Sequence, residues 1–287
     1  MRYATAAALR AALDQRLVAE ANASGTDIAR LRRRVTFERL LVRFALAGGD
    51  RWVLKGGAAV EVRMADRART TKDIDLAARH TDATDADVRE ALVDVLLFDP
   101  QGDFFEFRLD KFRAMGIHGA MGPVWRASVD CRLDGRTFDH VVIDVVVRTS
   151  EVQRTELIAL PGTLSFADVP TVEIVAVDLY QHFAEKLHAL VRDYGDRPSS
   201  RVKDLADLIL FIDGGLEPTR ELVRAVGDVF IARGSAGAPV EPPDPPADWR
   251  ARYAELAADL QLSAPEVGAA MSALRAFWAQ ATDPEPE

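Results

Sequence analysis

Two aspartates one residue apart, Asp73 and Asp75, stand in the run KDIDL, which closes the segment LKGGAAVEVRMADRARTTKDIDL at residues 54–76. The apolar residues alternate with the acids, so the run reads as a strand. Side chains at i and i+2 of a strand project from the same face, which brings both carboxylates to one spot. Upstream, Gly56 and Gly57 follow a short apolar strand, Trp52–Leu54, and precede a helix running to about Met64. Backbone amides at such a helix N-terminus can face an anion. Lys55 flanks the glycines, and Arg69, Thr70, Thr71 and Lys72 lead into the carboxylates. Oxygen ligands for a hard cation, beside small residues and phosphate-binding groups, point to metal-assisted nucleotide chemistry.

A persuasive metal site needs a third acid, and Asp144 in HVVIDVVV is the candidate. It is the lone acid in a β-branched run, where an unpaired buried carboxylate would be costly. Alternation puts it on the face opposite Ile143 and Val145, so a neighbouring strand could aim it at Asp73 and Asp75. Three carboxylates can hold two Mg²⁺ ions, or Mn²⁺ in their place, which bridge substrate phosphates, activate the attacking oxygen and neutralise a leaving pyrophosphate. The bland reading of a single D-x-D is a solvated strand end. The loop before it and Asp144 after it favour the metal reading.

A second constellation lies further on, with Lys186 in HFAEKLHALVR, and Asp204 and Asp207 in RVKDLADLILF. On the first helix Tyr180, Ala184, Leu187 and Val191 make an apolar stripe, leaving His182 and Lys186 on another face. Lys186 is expected at the nucleotide phosphates, with Asp207 positioning it or binding substrate. The alternative is a surface Lys–Asp pair, worth little. Only five of the 36 basic residues are Lys, and four of those five (Lys55, Lys72, Lys186 and Lys203) fall in these same runs. An ammonium is not interchangeable with a guanidinium at a phosphate.

Charge and composition exclude several classes. The net charge of −9 argues against a uniformly basic nucleic-acid binder, yet residues 1–50 hold nine Arg against five acids. Their cluster from Arg30 to Arg43, with Arg30, Arg33 and Arg34 foremost, is either a solvated helix face or a stripe that tracks an RNA backbone. No run of 18 apolar residues is present, so no membrane span is expected. The single cysteine, Cys131, allows no internal disulfide and fits a reducing cytoplasm. The five histidines make no zinc pattern, and neither a Walker A loop nor a G-x-S-x-G elbow occurs.

Periodicity predicts helices over 5–21, 26–47 and 84–97, and strands over Phe104–Leu109, Val124–Leu133 and His140–Val147. The last two strands are joined by the turn Asp134-Gly135. After a strand at Thr171–Val175 the chain turns helical, over about 177–193, 201–213, 217–232, 249–260 and 264–281. The expected class is α+β: a mixed-sheet lobe over 1–170 and a helical lobe over 171–287, with a Pro-rich linker at 234–248.

The motifs K-G-G-x-A and E-x-R, then R-T-T-K-D-I-D-L, A-E-K-L-H-A and R-x-K-D-L-x-D-L, occur in that order over about residues 50–215. In this series the chain resembles the AbiEii-type nucleotidyltransferase toxins, the AbiEii/AbiGii group with its MenT-like relatives. The resemblance implies a nucleotidyltransferase fold like that of DNA polymerase beta in the first lobe. It implies Asp73, Asp75, Lys186 and Asp207 as catalytic positions, and an NTP as substrate. It also implies transfer of NMP to an RNA 3′ end, the tRNA acceptor stem, which blocks aminoacylation and translation, and abortive infection as the setting. The implied partner is a winged-helix antitoxin of the AbiEi type. The usual Gly-Ser start is Gly-Gly here, which leaves Thr70 or Thr71 to supply the hydroxyl. Two other classes stand beside this reading: nucleotide transfer to a protein or small molecule, and a non-catalytic nucleotide-binding, antitoxin-docking module.

Overall fold

The computed structural model describes residues 1–48, 51–79, 84–117, 123–147, 153–192, 201–235, 237–238 and 241–283. By packing, the chain divides into two compact units, Met1–Val62 with Thr70–Ala176, and Arg63–Arg69 with Val177–Glu287.

The first unit is built on a mixed sheet. In chain order it carries α1 (Ala6–Ser24), α2 (Ile28–Gly48), β1 (Trp52–Lys55), α3 (Gly56–Met64), β2 (Asp73–Ala78) and α4 (Asp85–Leu97). The strands β3 (Phe105–Ile117), β4 (Pro123–Leu133), β5 (Arg136–Val147), β6 (Thr155–Ala159) and β7 (Glu173–Val177) follow. Among the described residues these seven strands lie in the order β3-β4-β5-β2-β1-β7-β6. Strands β3, β4 and β5 are joined antiparallel, β2 runs parallel to β5, and β1 is antiparallel to β2 and parallel to β7. The expected α+β class is what the chain adopts.

Alternation decides which face is covered. Ile74 and Leu76 of β2, Val141, Ile143 and Val145 of β5, and Trp125, Ala127 and Val129 of β4 are buried in one apolar cluster. Helices α1, α2 and α4 pack over that face. The intervening residues, Asp73, Asp75, Arg126, Ser128, Val142 and Asp144, are only half-buried, so the other face carries the polar side chains. The turn Asp134-Gly135 joins β4 to β5 as expected, with positive φ at both residues (54° and 67°). That backbone matches the twist of a two-residue hairpin. Helix α4 opens on a reciprocal capping box between Thr84 and Asp87.

Two strands depart from the expectation. Strand β3 runs on to Ile117, past the predicted end at Leu109, carried by its pairing with β4 across a register shift. The short strand β6 was not expected; it is largely exposed and so lacks the alternation that marks a half-buried strand. The sheet also extends beyond residue 170, because β7 pairs with β1.

The second unit is helical, with α5 (Leu179–Val191), α6 (Val202–Asp213), α7 (Arg220–Ala232), α8 (Trp249–Leu260) and α9 (Val267–Thr282). Helix α5 packs on α6 and α7, and α6 on α8 and α9. Among the described residues no helix is long and apolar enough to cross a membrane.

Candidate functional site

Cross-strand register builds the carboxylate face. Asp75 on β2 lies opposite Asp144 on β5, and Asp144 lies opposite Arg126 on β4. Partners in register project to the same side of a sheet, so Asp73, Asp75 and Asp144 share one face as the sequence suggested. On the other side of β2, Asp75 is opposite Lys55 of β1. Gly56 follows Lys55 with φ +61°, and a Cβ placed there would stand 2.0 Å from Asp75 Oδ2. Only glycine fits, both for the backbone and for the space that the carboxylate fills.

Hard oxygen donors from Asp73 and Asp75, side by side and half-exposed, suit Mg²⁺ or Mn²⁺. The third donor is arranged differently from the expectation. Arg126 grips Asp144 with a two-pronged pair, Nε to Oδ1 at 2.7 Å and Nη2 to Oδ2 at 2.6 Å. Those hydrogen bonds push the guanidinium pKa up, with the charges of Asp144, Asp73 and Asp75 adding to the effect. Among the described residues no three acidic, His or Cys side chains are gathered as a metal-binding group. Asp144 thus shares the face of Asp73 and Asp75 with both of its oxygens held by Arg126.

The loop before β2 is tied down. The Thr71 backbone N–H donates to Glu61 Oε2 at 3.3 Å, and the Thr71 hydroxyl to Asp73 Oδ1 at 3.2 Å. Burial raises the Glu61 pKa against the lowering pull of Thr71 and of Arg34, whose Nε is 3.5 Å away. Thr71 is buried and turned toward Asp73, whereas Thr70 is half-buried and Lys72 is exposed. Sequence reasoning overlooked Glu61, although its place in K-G-G-x-A-x-E, one helical turn past the glycines, was a signal.

The basic stripe on α2 is not an uncovered cationic face. Arg39 and Arg43 are buried, and both reach the fully buried Asp103, Arg43 with a two-pronged pair at 3.1 and 2.8 Å. Arg33 and Arg34, two of the three candidate RNA contacts, pair instead with Asp139 at 3.4 Å and Glu61 at 3.5 Å. Arg30 is half-buried and acts on the Glu61 charge. Arginine spacing on a helix does not reveal acids that arrive from other elements, which is why the stripe read as a surface.

In the second unit, the Lys186 ammonium lies 2.8 Å from Asp207 and 3.1 Å from Asp204. Arg69 clamps the other side of Asp207, at 2.9 and 2.8 Å. Burial pushes the Asp207 pKa up, but the Lys186 and Arg69 charges outweigh it and hold the carboxyl below its ordinary value. Burial likewise opposes the charge on Lys186, and the two aspartates overcome it and raise its pKa. This is no surface pair. All residues from Gln181 to His188 on α5 are buried, so the face that carries His182 and Lys186 is covered too. Arg69, assigned by sequence to the nucleotide loop, is committed to Asp207.

The sequence matches the family described as Nucleotidyl transferase AbiEii toxin, Type IV TA system, over residues 39–280. No curated protein shows significant similarity to the chain. Among solved structures it is similar to JHP933 from Helicobacter pylori, at 14% identity and a TM-score of 0.44, covering 87% of this chain and 89% of that one. It is also similar to an antigenic nucleotidyltransferase-like protein from Paracoccidioides brasiliensis, at 16% identity and a TM-score of 0.39, covering 78% and 90%. Since the family match spans most of its length, the chain belongs to the AbiEii nucleotidyl transferase toxin family of type IV toxin–antitoxin systems.

Proposed function

We propose that this nucleotidyltransferase moves a nucleotide from an NTP to the 3′ hydroxyl of an RNA, the tRNA acceptor end, and so blocks aminoacylation and translation. The observation that carries the reading is the pairing of Asp73 and Asp75 on one half-exposed sheet face with Gly56, whose missing side chain leaves room for the Asp75 carboxylate. In the transfer, the 3′ hydroxyl loses its proton to solvent as its oxygen bonds to the α-phosphorus, and the bond from the α-phosphorus to the bridging oxygen of the β-phosphate breaks, releasing pyrophosphate. Asp73 and Asp75 hold Mg²⁺ or Mn²⁺, which when bound neutralises phosphate charge. The amides that open α3 after Lys55 face the phosphates. Glu61 and Thr71 fix the loop so that Asp73 keeps its direction. Lys186 and Asp207 supply a fixed charged pair in the helical unit: Asp207 and Asp204 keep Lys186 ionised, and Lys186 and Arg69 keep Asp207 ionised. The antitoxin that family membership implies is proposed to be a winged-helix protein of the AbiEi type.

Labelled NTPs incubated with total tRNA, and separately with protein and small-molecule fractions, test this directly. Label should enter tRNA, disappear with chelator, and disappear in Asp75→Ala together with growth inhibition. Transfer retained in Asp75→Ala would refute the metal assignment. Label confined to the protein or small-molecule pool would refute the RNA acceptor.

A further inference from the structure

One row of the sheet crosses five strands in register: Lys55, Asp75, Asp144, Arg126 and Arg113, on β1, β2, β5, β4 and β3. All five therefore project from the face that bears Asp73. The three carboxylates of this face would be crowded by mutual repulsion if nothing neutralised them. The neutralising group closest to Asp144 is a side chain of the protein itself. Arg126 takes both oxygens of Asp144 in the fork geometry that arginine favours with carboxylates. Its side chain is 38% exposed, against 18% for Asp144, so the guanidinium lies over the acid from the open side of the sheet.

We infer that Arg126 is a positioning residue that occupies Asp144 and serves in place of a second divalent ion, so that Asp73 and Asp75 bind a single metal. The inference rests on the metal role proposed above for Asp73 and Asp75. Its physical basis is competition. A cation bridging Asp75 and Asp144 must displace a two-pronged, charge-assisted pair. Two divalent ions would also add four positive charges to three carboxylates that already hold a guanidinium. A fixed guanidinium costs no ion-binding step and cannot exchange, and its Nη1 makes no hydrogen bond among the described residues.

Mn²⁺ binding followed by electron paramagnetic resonance, without nucleotide, tests this apart from activity. Wild-type protein should bind one Mn²⁺ per chain, and Arg126→Gln should bind two. Arg126→Gln with Asp144→Asn should return to one. Asp144→Asn alone should leave the single ion in place within about twofold in affinity, which keeps the test decisive if Arg126→Gln folds poorly. Two ions on the wild type, one unchanged ion on a folded Arg126→Gln, or loss of the ion in Asp144→Asn would overturn the inference and leave the metal reading standing. No Mn²⁺ on wild type, or full retention in Asp73→Asn with Asp75→Asn, would overturn the metal reading itself.

Discussion

Gly56 shows how much chemistry one missing side chain can decide. An alanine there meets two separate obstacles, a left-handed backbone at φ +61° and the Asp75 carboxylate 2.0 Å from its Cβ. The first costs about 1–2 kcal/mol for an L-residue. The second displaces Asp75 from the position it shares with Asp73. Gly25 separates the two, because its φ is +71° and nothing lies within 4 Å of a Cβ built there. Gly25→Ala should lose stability by a similar backbone amount and keep its transfer rate. Gly56→Ala should lose on the order of 100-fold in kcat, the scale on which misplacement of a reacting group is felt. Equal rates in the two variants would show that the contact with Asp75 is irrelevant to transfer. The paired glycines and D-x-D were legible in the sequence because spacing within one short segment is local information. Arg126 was not legible, since its partner lies 18 residues away and across a hairpin.

At the level of elements, α2 is held to the sheet by charge as well as by apolar packing. Arg39 and Arg43 converge on Asp103, just before β3, and Glu38 accepts the Thr163 backbone N–H at 2.8 Å. Removing one partner of such a buried group strands the others, so Asp103→Ala should destabilise the protein by about 3–5 kcal/mol. Arg33→Ala, whose pair with Asp139 is partly exposed, should cost no more than about 1 kcal/mol. Urea midpoints of the two variants check the contrast, and equal losses would refute the internal framework. The hairpin of β4 and β5 explains why the Arg126–Asp144 pair escaped sequence reading. Near the turn Leu133 faces Arg136 and Arg132 faces Thr137, but beyond a shift Cys131 faces Asp139. That extra residue moves every later pair by one and brings Arg126, in place of Trp125, opposite Asp144. A one-residue slip exchanges the faces of a strand, and no local pattern announces it. The amphipathic helices were legible within a few residues because their apolar repeat is set along the element itself.

For the molecule as a whole, the −9 charge and its uneven spread hide two internally balanced frameworks, one in each unit. The pH dependence of stability carries the mark of the second. Asp207 has its pKa lowered from 3.8, so its contribution is present above that value and is lost as pH falls through the folded value. Lys186 has its pKa raised from 10.5, so its contribution is present below that value and is lost as pH rises through the folded value. The pair therefore adds constant stability across the neutral range, with a decline on the acid side below about pH 4. Asp207→Asn should lower stability at neutral pH and flatten that acid decline, as read from urea midpoints against pH. An unchanged acid limb would place the acid sensitivity in other carboxylates. By itself, the sequence determined the α+β class, the helical second half, the D-x-D strand and the family motifs, because each rests on residues close together in the chain. Only the tertiary structure decided that Arg39 and Arg43 of α2 face inward, that Lys186 is buried between two aspartates, and that Asp144 belongs to Arg126. Each of those turns on a counter-charge from a distant segment, and long-range pairing is set by strand register and packing rather than by the spacing of neighbours.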